Sequence, residues 1–123
     1  MVNPGQPIYH MCTLAEWRAA EAEGVYRGSS QDAQDGFIHF STRDQVRASA
    51  DKHRAGQAGL VLLTADVPAL GEALKWEPAR GGALFPHLYG PLPLLAVTDV
   101  RALPLGPDGS HLFPPGIPER EQP

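Results

Sequence analysis

The chain has 123 residues, 42% of them hydrophobic and 20% charged, with a formal net charge of -4 at pH 7. This length suits one domain with its own core, and the composition is that of a globular protein, neither disordered nor membrane-embedded. The acidic balance and the scattered Lys and Arg residues argue against nonspecific nucleic-acid binding, which needs concentrated positive charge.

The two ends of the chain differ in composition from its middle. Residues 1–7 contain two prolines and a glycine, without the basic start and apolar core of a signal peptide. We predict that residues 1–7 are disordered, that one globular domain spans residues 8–103, and that residues 104–123 form a Pro- and Gly-rich tail. This tail holds six of the 13 prolines. It is expected to be extended, largely disordered and of little importance for stability, unless Leu112 and Phe113 dock locally.

Cys12 is the only cysteine, so no intramolecular disulfide can form and a reducing compartment is expected. No apolar run approaches the roughly 20 residues that span a bilayer. We therefore predict a cytoplasmic protein that does not enter a membrane.

The first strand and helix have clear local signals. Residues 8–12 alternate as a strand, with Ile8, His10 and Cys12 on one face. Thr13 and Glu16 form a capping box for a helix that runs to residue 23 and ends at a glycine. Trp17 is expected to dock this helix on the sheet.

The next region is predicted as a long polar loop, residues 25–35, followed by a strand over residues 36–40 and a second helix. Ser41 is the expected N-cap of that helix. Val46, Ala50 and His53 give the helix a narrow apolar stripe, and the helix should end near Gly56.

Residues 60–66 form a continuous apolar run, which is typical of a strand buried on both faces at the centre of a sheet. Residues 68–74 predict one or two helical turns, and residues 94–103 a last long strand. The fold class is therefore α+β, with a central sheet and two flanking helices.

Polar side chains in three strand-like segments indicate one candidate cleft. His10, His39 and His87 each occupy such a segment, and Ser41 and Tyr89 each follow a histidine by two residues. The candidate ligand-binding residues are His10, His39, Ser41, His87 and Tyr89, with Glu77 as a carboxylate companion. Imidazoles, hydroxyls and a carboxylate can hold a polar ligand and exchange protons near neutral pH.

Other chemistry has weaker support in the sequence. A metal-dependent enzyme that uses His10, His39 and His87 is one alternative, but these histidines lack the spacing of a specific metal motif. The site is therefore assigned no metal. No nucleophile elbow, P-loop or Gly-x-Gly-x-x-Gly motif is present.

Four segments together resemble a known family: Ile8-Tyr9-His10, Gly36-Phe37-Ile38-His39-Phe40-Ser41, Lys75-Trp76-Glu77 and Phe85-Pro86-His87-Leu88-Tyr89-Gly90. The family consists of small bacterial and plant proteins catalogued as domain of unknown function nine-five-two. The resemblance covers residues 8 to about 103. Phe40 stands where many members have cysteine, so the resemblance implies no required thiol at this position.

That family resembles, at fold level, the ADP-ribosyltransferase superfamily, including the RNA 2′-phosphotransferases. The shared order is a first-strand histidine, a helix that ends in glycine and a later His-x-Ser strand. This resemblance implies a split, mostly antiparallel sheet around a cleft for NAD or an ADP-ribose-like group. It further implies that His10 contacts a ribose hydroxyl and that His39 and Ser41 line the cleft.

The resemblance also provides catalytic candidates, Glu77 and His39. Glu77 matches the transferase glutamate that stabilises an oxocarbenium-like transition state. We therefore expect an ADP-ribosyltransferase-like enzyme that acts on NAD, or on a nucleotide-derived ligand, as substrate and has no certain cofactor. Because neither an Arg-Ser-Glu nor a His-Tyr-Glu triad is identifiable, a nucleotide-binding or small-molecule-binding module without turnover is the alternative.

Overall fold

The computed structural model describes residues 6–117, except for the side chain of residue 80. Within these residues the strands are β1 (Ile8–Thr13), β2 (Val25–Tyr26), β3 (Ile38–His39), β4 (Ser41–Thr42), β5 (Leu60–Ala65), β6 (Leu74–Pro78), β7 (Leu84–Leu88), β8 (Leu92–Pro93) and β9 (Val97–Leu103). The α-helices are α1 (Leu14–Glu23), α2 (Ser30–Asp35) and α3 (Val46–His53), with 3-10 turns at Val67–Ala73, Arg80–Gly82 and Leu94–Ala96.

The main sheet has the strand order β4-β1-β5-β9, and each of its neighbouring strands is antiparallel. Strand β5 pairs with β1 and β9 along its whole length. Val61 and Leu63 pack into one hydrophobic cluster, and Leu60 and Leu62 into another on the opposite face. The prediction of a central strand buried on both faces is confirmed.

Two smaller sheets lie outside the main sheet, one of order β3-β7-β6 and one formed by β2 and β8. Their strand pairs are antiparallel as well. The predicted class, α+β with mostly antiparallel sheets, is confirmed. The described residues contain a third α-helix, however, in addition to the two that were expected.

The strand predicted over residues 36–40 is divided between two sheets. His39 pairs with β7, whereas Ser41 pairs with Tyr9 of β1. Between them, the backbone N–H of Phe40 donates to the carbonyl of Pro86, and the Phe40 side chain is buried in the core. This division separates His39 from Ser41, which a continuous strand would place side by side.

Helix α1 forms as its sequence predicts. Thr13 Oγ1 accepts from the Glu16 N–H, and Glu16 returns a bond to the Thr13 N–H. Gly24 closes the helix in the left-handed conformation, at φ 95°. Trp17 is 7% exposed and packs in the main hydrophobic cluster, so it attaches this helix to the sheet.

The predicted loop over residues 25–35 contains regular structure. It includes β2 and the short helix α2, which begins after Ser29. A second capping box explains the helix, because the Ser29 side chain accepts from the Asp32 N–H and Asp32 accepts from the Ser29 N–H. Asp32 is therefore a structural residue of this segment as well as a charged one.

Helix α3 begins later than predicted. Its N-cap is Gln45 and its last residue is His53, whereas Ser41 belongs to β4 and does not cap it. Val46 and Ala50 lie on the inner face of α3 and are fully buried, as the apolar stripe predicts. No helix within residues 6–117 is long and apolar enough to cross a membrane.

The described part of the tail, residues 104–117, packs against the domain instead of extending from it. Leu105 and His111 form an isolated antiparallel bridge, and His111 Nε2 bonds to the carbonyl of Gln57. Ile117 is 8% exposed and joins the hydrophobic cluster of α3 and β5, and Phe113 packs against the same cluster. This differs from the expected disorder, because apolar residues among the prolines have a surface to cover. Residues 1–5 and 118–123 lie outside the described part, so the predicted disorder of the first residues is not addressed there.

Candidate functional site

The imidazole of His39 lies between two carboxylates. Nδ1 is 2.5 Å from Asp32 Oδ1, and Nε2 is 3.0 Å from Asp35 Oδ2. An ionised carboxylate only accepts hydrogen bonds, so both ring nitrogens must carry a proton. The hydrogen bond to Asp32 is the main cause that raises the pKa of His39, and Asp35 adds to it. His39 is therefore a cation whose side chain is 40% exposed.

Asp32 organises the residues on either side of it. Its Oδ2 accepts from the backbone N–H and hydroxyl of Ser29, and its Oδ1 accepts from the backbone and the ring of His39. Burial alone would raise its pKa, but the hydrogen bonds from His39 and Ser29 oppose this and lower the pKa to about 2. Asp32 is 3% exposed and remains ionised.

His10 is buried and neutral. Its Nδ1 is 2.6 Å from the carbonyl oxygen of His39, which can only accept, so the Nδ1–H donates there. In the neutral ring Nε2 carries the lone pair, so it accepts from the hydroxyl of Tyr26, also at 2.6 Å. Burial lowers the pKa of His10, and the negative charge of Asp32 offsets this only in part. Both ring nitrogens thus have protein partners, and the side chain is 3% exposed.

Glu77 joins two other predicted residues. Its Oε1 accepts from His87 Nδ1 at 2.8 Å and from the Tyr89 hydroxyl at 2.7 Å. The bond from His87, and next the bond from Tyr89, lower the pKa of Glu77, while the bond to Glu77 raises the pKa of Tyr89. Glu77 is an anchored carboxylate near the surface, with its side chain 38% exposed.

Phe37 connects the His39 group with the Glu77 group. Its ring stacks on His87 at a centroid distance of 4.1 Å and contacts His39 at 4.5 Å and Tyr89 at 5.2 Å. We name these five residues, Phe37, His39, Glu77, His87 and Tyr89, the aromatic-carboxylate cluster. They come from β3, β6 and β7 and the residues that flank them.

A shallow cavity of about 210 Å³ opens beside Phe37. It is lined by Arg27, Asp32, Ala33, Gly36, Phe37, Ile38, Leu88, Gly90 and Pro91. The cavity is bordered on one side by α2 and on the other by the end of β7. It therefore adjoins the aromatic-carboxylate cluster through Phe37 and Asp32.

The structure brings together four of the six residues that the sequence indicated: His39, Glu77, His87 and Tyr89. It does not bring His10 and Ser41 to the same surface. His10 lies inside the core, and the Ser41 hydroxyl is 2.9 Å from that of Ser49 on α3. Neither side chain has the exposure that the ligand contact predicted for it requires.

The charged partners of His39 were not predicted. Asp32 and Asp35 stand in the segment for which the sequence predicts a loop, and they belong to helix α2. The sequence does contain a signal for this helix. Ser29 stands three residues before Asp32, a spacing that predicts a capping box with the aspartate in the first turn of the helix. Alternation along a strand places Phe37 on the same face as His39, but the contact of Phe37 with His87 depends on the pairing of β3 with β7.

Within residues 6–117, no group of three or more His, Cys, Asp or Glu side chains is arranged to hold a metal ion. At His10 and His39, two of the three candidate histidines, the hydrogen bonds of the ring nitrogens explain this. His10 has both nitrogens in internal hydrogen bonds, and His39 donates from both of its nitrogens. A metal ligand needs an unprotonated nitrogen, so the metal alternative has no support from this geometry.

Residues 11–100 match the family described as Protein of unknown function (DUF952). The chain belongs to this family. The match includes each residue of the aromatic-carboxylate cluster. No match was found among curated proteins.

Two solved structures of protein CC0527 from Caulobacter crescentus are similar to this fold. The crystal structure of CC0527 is 48% identical, covers 87% of this chain and 94% of that one, and has a TM-score of 0.84. The solution NMR structure of CC0527 is 50% identical over 85% of this chain and 90% of that one, with a TM-score of 0.76. The architecture is thus similar to one determined by experiment for a bacterial protein.

Proposed function

We propose that this DUF952 domain is an ADP-ribosyltransferase-like enzyme that binds NAD, or another ligand with an ADP-ribose group, at the aromatic-carboxylate cluster. The observation that carries the proposal is the ionised Glu77, which His87 and Tyr89 hold through one oxygen. A carboxylate fixed in this way and still exposed suits a ligand that develops positive charge.

The chemistry assigned to Glu77 is stabilisation of the ribose in the transition state. When the bond between nicotinamide and ribose C1′ breaks, the electron pair leaves with nicotinamide and C1′ becomes oxocarbenium-like. The fixed negative charge of Glu77 stabilises that cation, as carboxylates do in glycoside cleavage. An acceptor hydroxyl or water then bonds to C1′ and loses its proton to solvent.

The surroundings of Glu77 support a ligand that combines rings with phosphates. Tyr89 is 44% exposed and offers an aromatic ring beside the carboxylate. Lys75 is exposed two residues before Glu77 on β6, and alternation along the strand puts both on one face. A cation beside an aromatic and acidic site can contact the phosphates of such a ligand.

His10 and Ser41 have no direct role in this proposal. The ribose contact first assigned to His10 is not available, because its ring is buried and both nitrogens are bonded to the protein. His39 is a protonated group and not a general base. Any base for the acceptor must therefore be another group or solvent.

The test is release of nicotinamide from NAD by the purified protein, measured by chromatography. Glu77→Gln should reduce the rate about 100-fold or more, the size of effect seen when one transition-state charge contact is lost. Glu21→Gln, on the exposed side of α1, is the matched control and should leave the rate unchanged. If the wild type releases no nicotinamide and NAD and ADP-ribose do not raise its Tm, the proposal is wrong.

One observation favours a second candidate, a nucleotide-binding module without turnover. The ring nitrogens of His10 and His39 are engaged with protein groups, so neither histidine is a free proton acceptor. The same experiment separates the two candidates. A rise in Tm with ADP-ribose, together with no release of nicotinamide, identifies binding alone.

A further inference from the structure

The two carboxylates on His39 differ in how firmly they are held. Asp32 is 3% exposed and has several hydrogen bonds, whereas the Asp35 side chain is 38% exposed. Asp35 has one further contact, at 3.1 Å from Gln31 Nε2, and that contact is exposed. An exposed ion pair adds little to stability because water and salt compete for both partners. Asp35 is therefore the carboxylate that a competing anion can replace.

Asp35 also lies beside other negative charge. It is the last residue of α2, where the free carbonyl groups of the helix end present partial negative charge. Asp32 lies three residues earlier and is ionised as well. The single positive charge of His39 thus neutralises only one of the two negative charges of Asp32 and Asp35. The remaining negative charge lies on Asp35, the more exposed of the two.

We propose that Asp35 occupies an anion position on His39 Nε2 that a phosphate group of the ligand takes over when it binds. This deepens the proposed function, on which it rests for the identity of the ligand, by naming where the anionic part of that ligand binds. Asp35 acts as an internal competitor that keeps the position filled in the ligand-free protein.

In this exchange one anionic hydrogen-bond acceptor on His39 Nε2, the Asp35 carboxylate, is replaced by another, a phosphate. Phosphate, like carboxylate, accepts a charge-assisted hydrogen bond from a protonated imidazole. Asp32 stays on Nδ1 and keeps the ring charged, so the Nε2–H remains a donor when Asp35 leaves. Arg27 lines the cavity that Asp32 and Phe37 also line, so a second cation, which is itself paired with Glu23 at 2.8 Å, lies on this side of the cluster.

The experiment follows the ring resonances of His39 by NMR while inorganic phosphate is added at constant ionic strength. Asp35→Asn removes the competing charge and keeps the size of the side chain. This variant should bind phosphate at least fivefold more tightly than the wild type, with the largest shift at His39 Nε2. Asp44→Asn, an exposed aspartate before α3, is the control and should match the wild type.

Two results would overturn the inference. One is phosphate affinity in Asp35→Asn that is equal to or weaker than that of the wild type. The other is tighter binding that moves other resonances and leaves His39 Nε2 unshifted. Because the shift is observed on His39 itself, the test does not depend on whether a His39 variant folds.

Parallel titrations with ADP-ribose distinguish this inference from the proposed function. If Asp35→Asn gains phosphate affinity while ADP-ribose binds no better than phosphate, the anion-binding position on His39 is supported and the proposed ligand is wrong. If ADP-ribose binds the wild type and Asp35→Asn equally well, the ligand stands and the role of Asp35 is wrong.

Discussion

The Nδ1–H of His10 donates to the backbone carbonyl of His39 across 2.6 Å, which joins strand β1 of the main sheet to strand β3 of a smaller sheet. The opposite ring nitrogen accepts from Tyr26. Two polar groups from different strands are satisfied by one buried ring. His10 is thus a structural connection between the core and the strand that carries His39.

This connection predicts that His10→Ala is destabilising. The change leaves the Tyr26 hydroxyl and the His39 carbonyl without their buried partner and opens a cavity, at a cost of about 3 kcal/mol in the free energy of unfolding. Urea denaturation measures it. Lys52→Ala, at an exposed position of α3, is the control and should change stability by less than about 0.5 kcal/mol. A loss for His10→Ala no larger than that of the control would contradict the structural role.

Asp32→Asn should destabilise the protein in a pH-dependent way. The variant loses a buried charge partner of His39, at a cost of about 3 kcal/mol. Because the pKa of Asp32 is lowered, its contribution to the free energy of unfolding is complete above pH 3.8, the ordinary pKa of this group. The contribution is lost as the pH falls through about 2. Because the pKa of His39 is raised, its contribution to the free energy of unfolding is complete below pH 6.5. The contribution is lost as the pH rises through the raised pKa.

The difference between wild type and Asp32→Asn should therefore be largest between pH 3.8 and 6.5 and decrease on both sides. Urea denaturation at a series of pH values tests this. Asp44→Asn should show a small difference at every pH. A loss in Asp32→Asn that is constant with pH would mean that the charge of Asp32 does not stabilise the fold.

The elements that the sequence predicts well are those with complete local signals. Helix α1 has its capping box and its terminal glycine, and β5 is an unbroken apolar run. The burial of His10 was also available from the sequence. It lies on the same strand face as Ile8 and Cys12, which are core residues, so alternation places the imidazole among them.

Other features depend on contacts between distant segments. The alternation around Phe40 continues without a break, yet the strand changes partner there, because β7 pairs on one side of it and β1 on the other. Nothing local to Ser41 indicates that its hydroxyl faces α3 instead of the histidines. The packing of the tail is a related case, since proline content disfavours regular structure but does not prevent packing.

Ile117→Ala should reduce stability although it lies in the Pro-rich tail. Ile117 is 8% exposed and packs with residues of α3 and β5, so its truncation is expected to cost about 2 kcal/mol. This corresponds to a few degrees in Tm, measurable by calorimetry. Leu112→Ala is the matched control, because Leu112 is 53% exposed in the same segment. Equal Tm values for wild type and Ile117→Ala would restore the interpretation of a tail that adds no stability.

Gly28→Ala tests whether Asp32 must keep its position. Gly28 has a φ of 100°, and an added Cβ would lie 2.8 Å from the Cβ of Asp32 and 3.2 Å from Ile38. Gly24 has a similar φ of 95°, but a Cβ there would meet nothing within 4 Å. Both changes therefore carry the strain of positive φ, about 1 kcal/mol, and only Gly28→Ala adds a clash with the carboxylate residue.

We expect Gly28→Ala to lose about 1–3 kcal/mol more than Gly24→Ala, the usual cost of overpacking a filled site. The clash should also move Asp32 away from His39. Since the bond to Asp32 is the main cause of the raised pKa of His39, an NMR titration should show that pKa lower in Gly28→Ala and unchanged in Gly24→Ala. Equal losses of stability in the two variants, with the same His39 titration, would show that the loop yields to the added methyl group and that Asp32 is not fixed by Gly28.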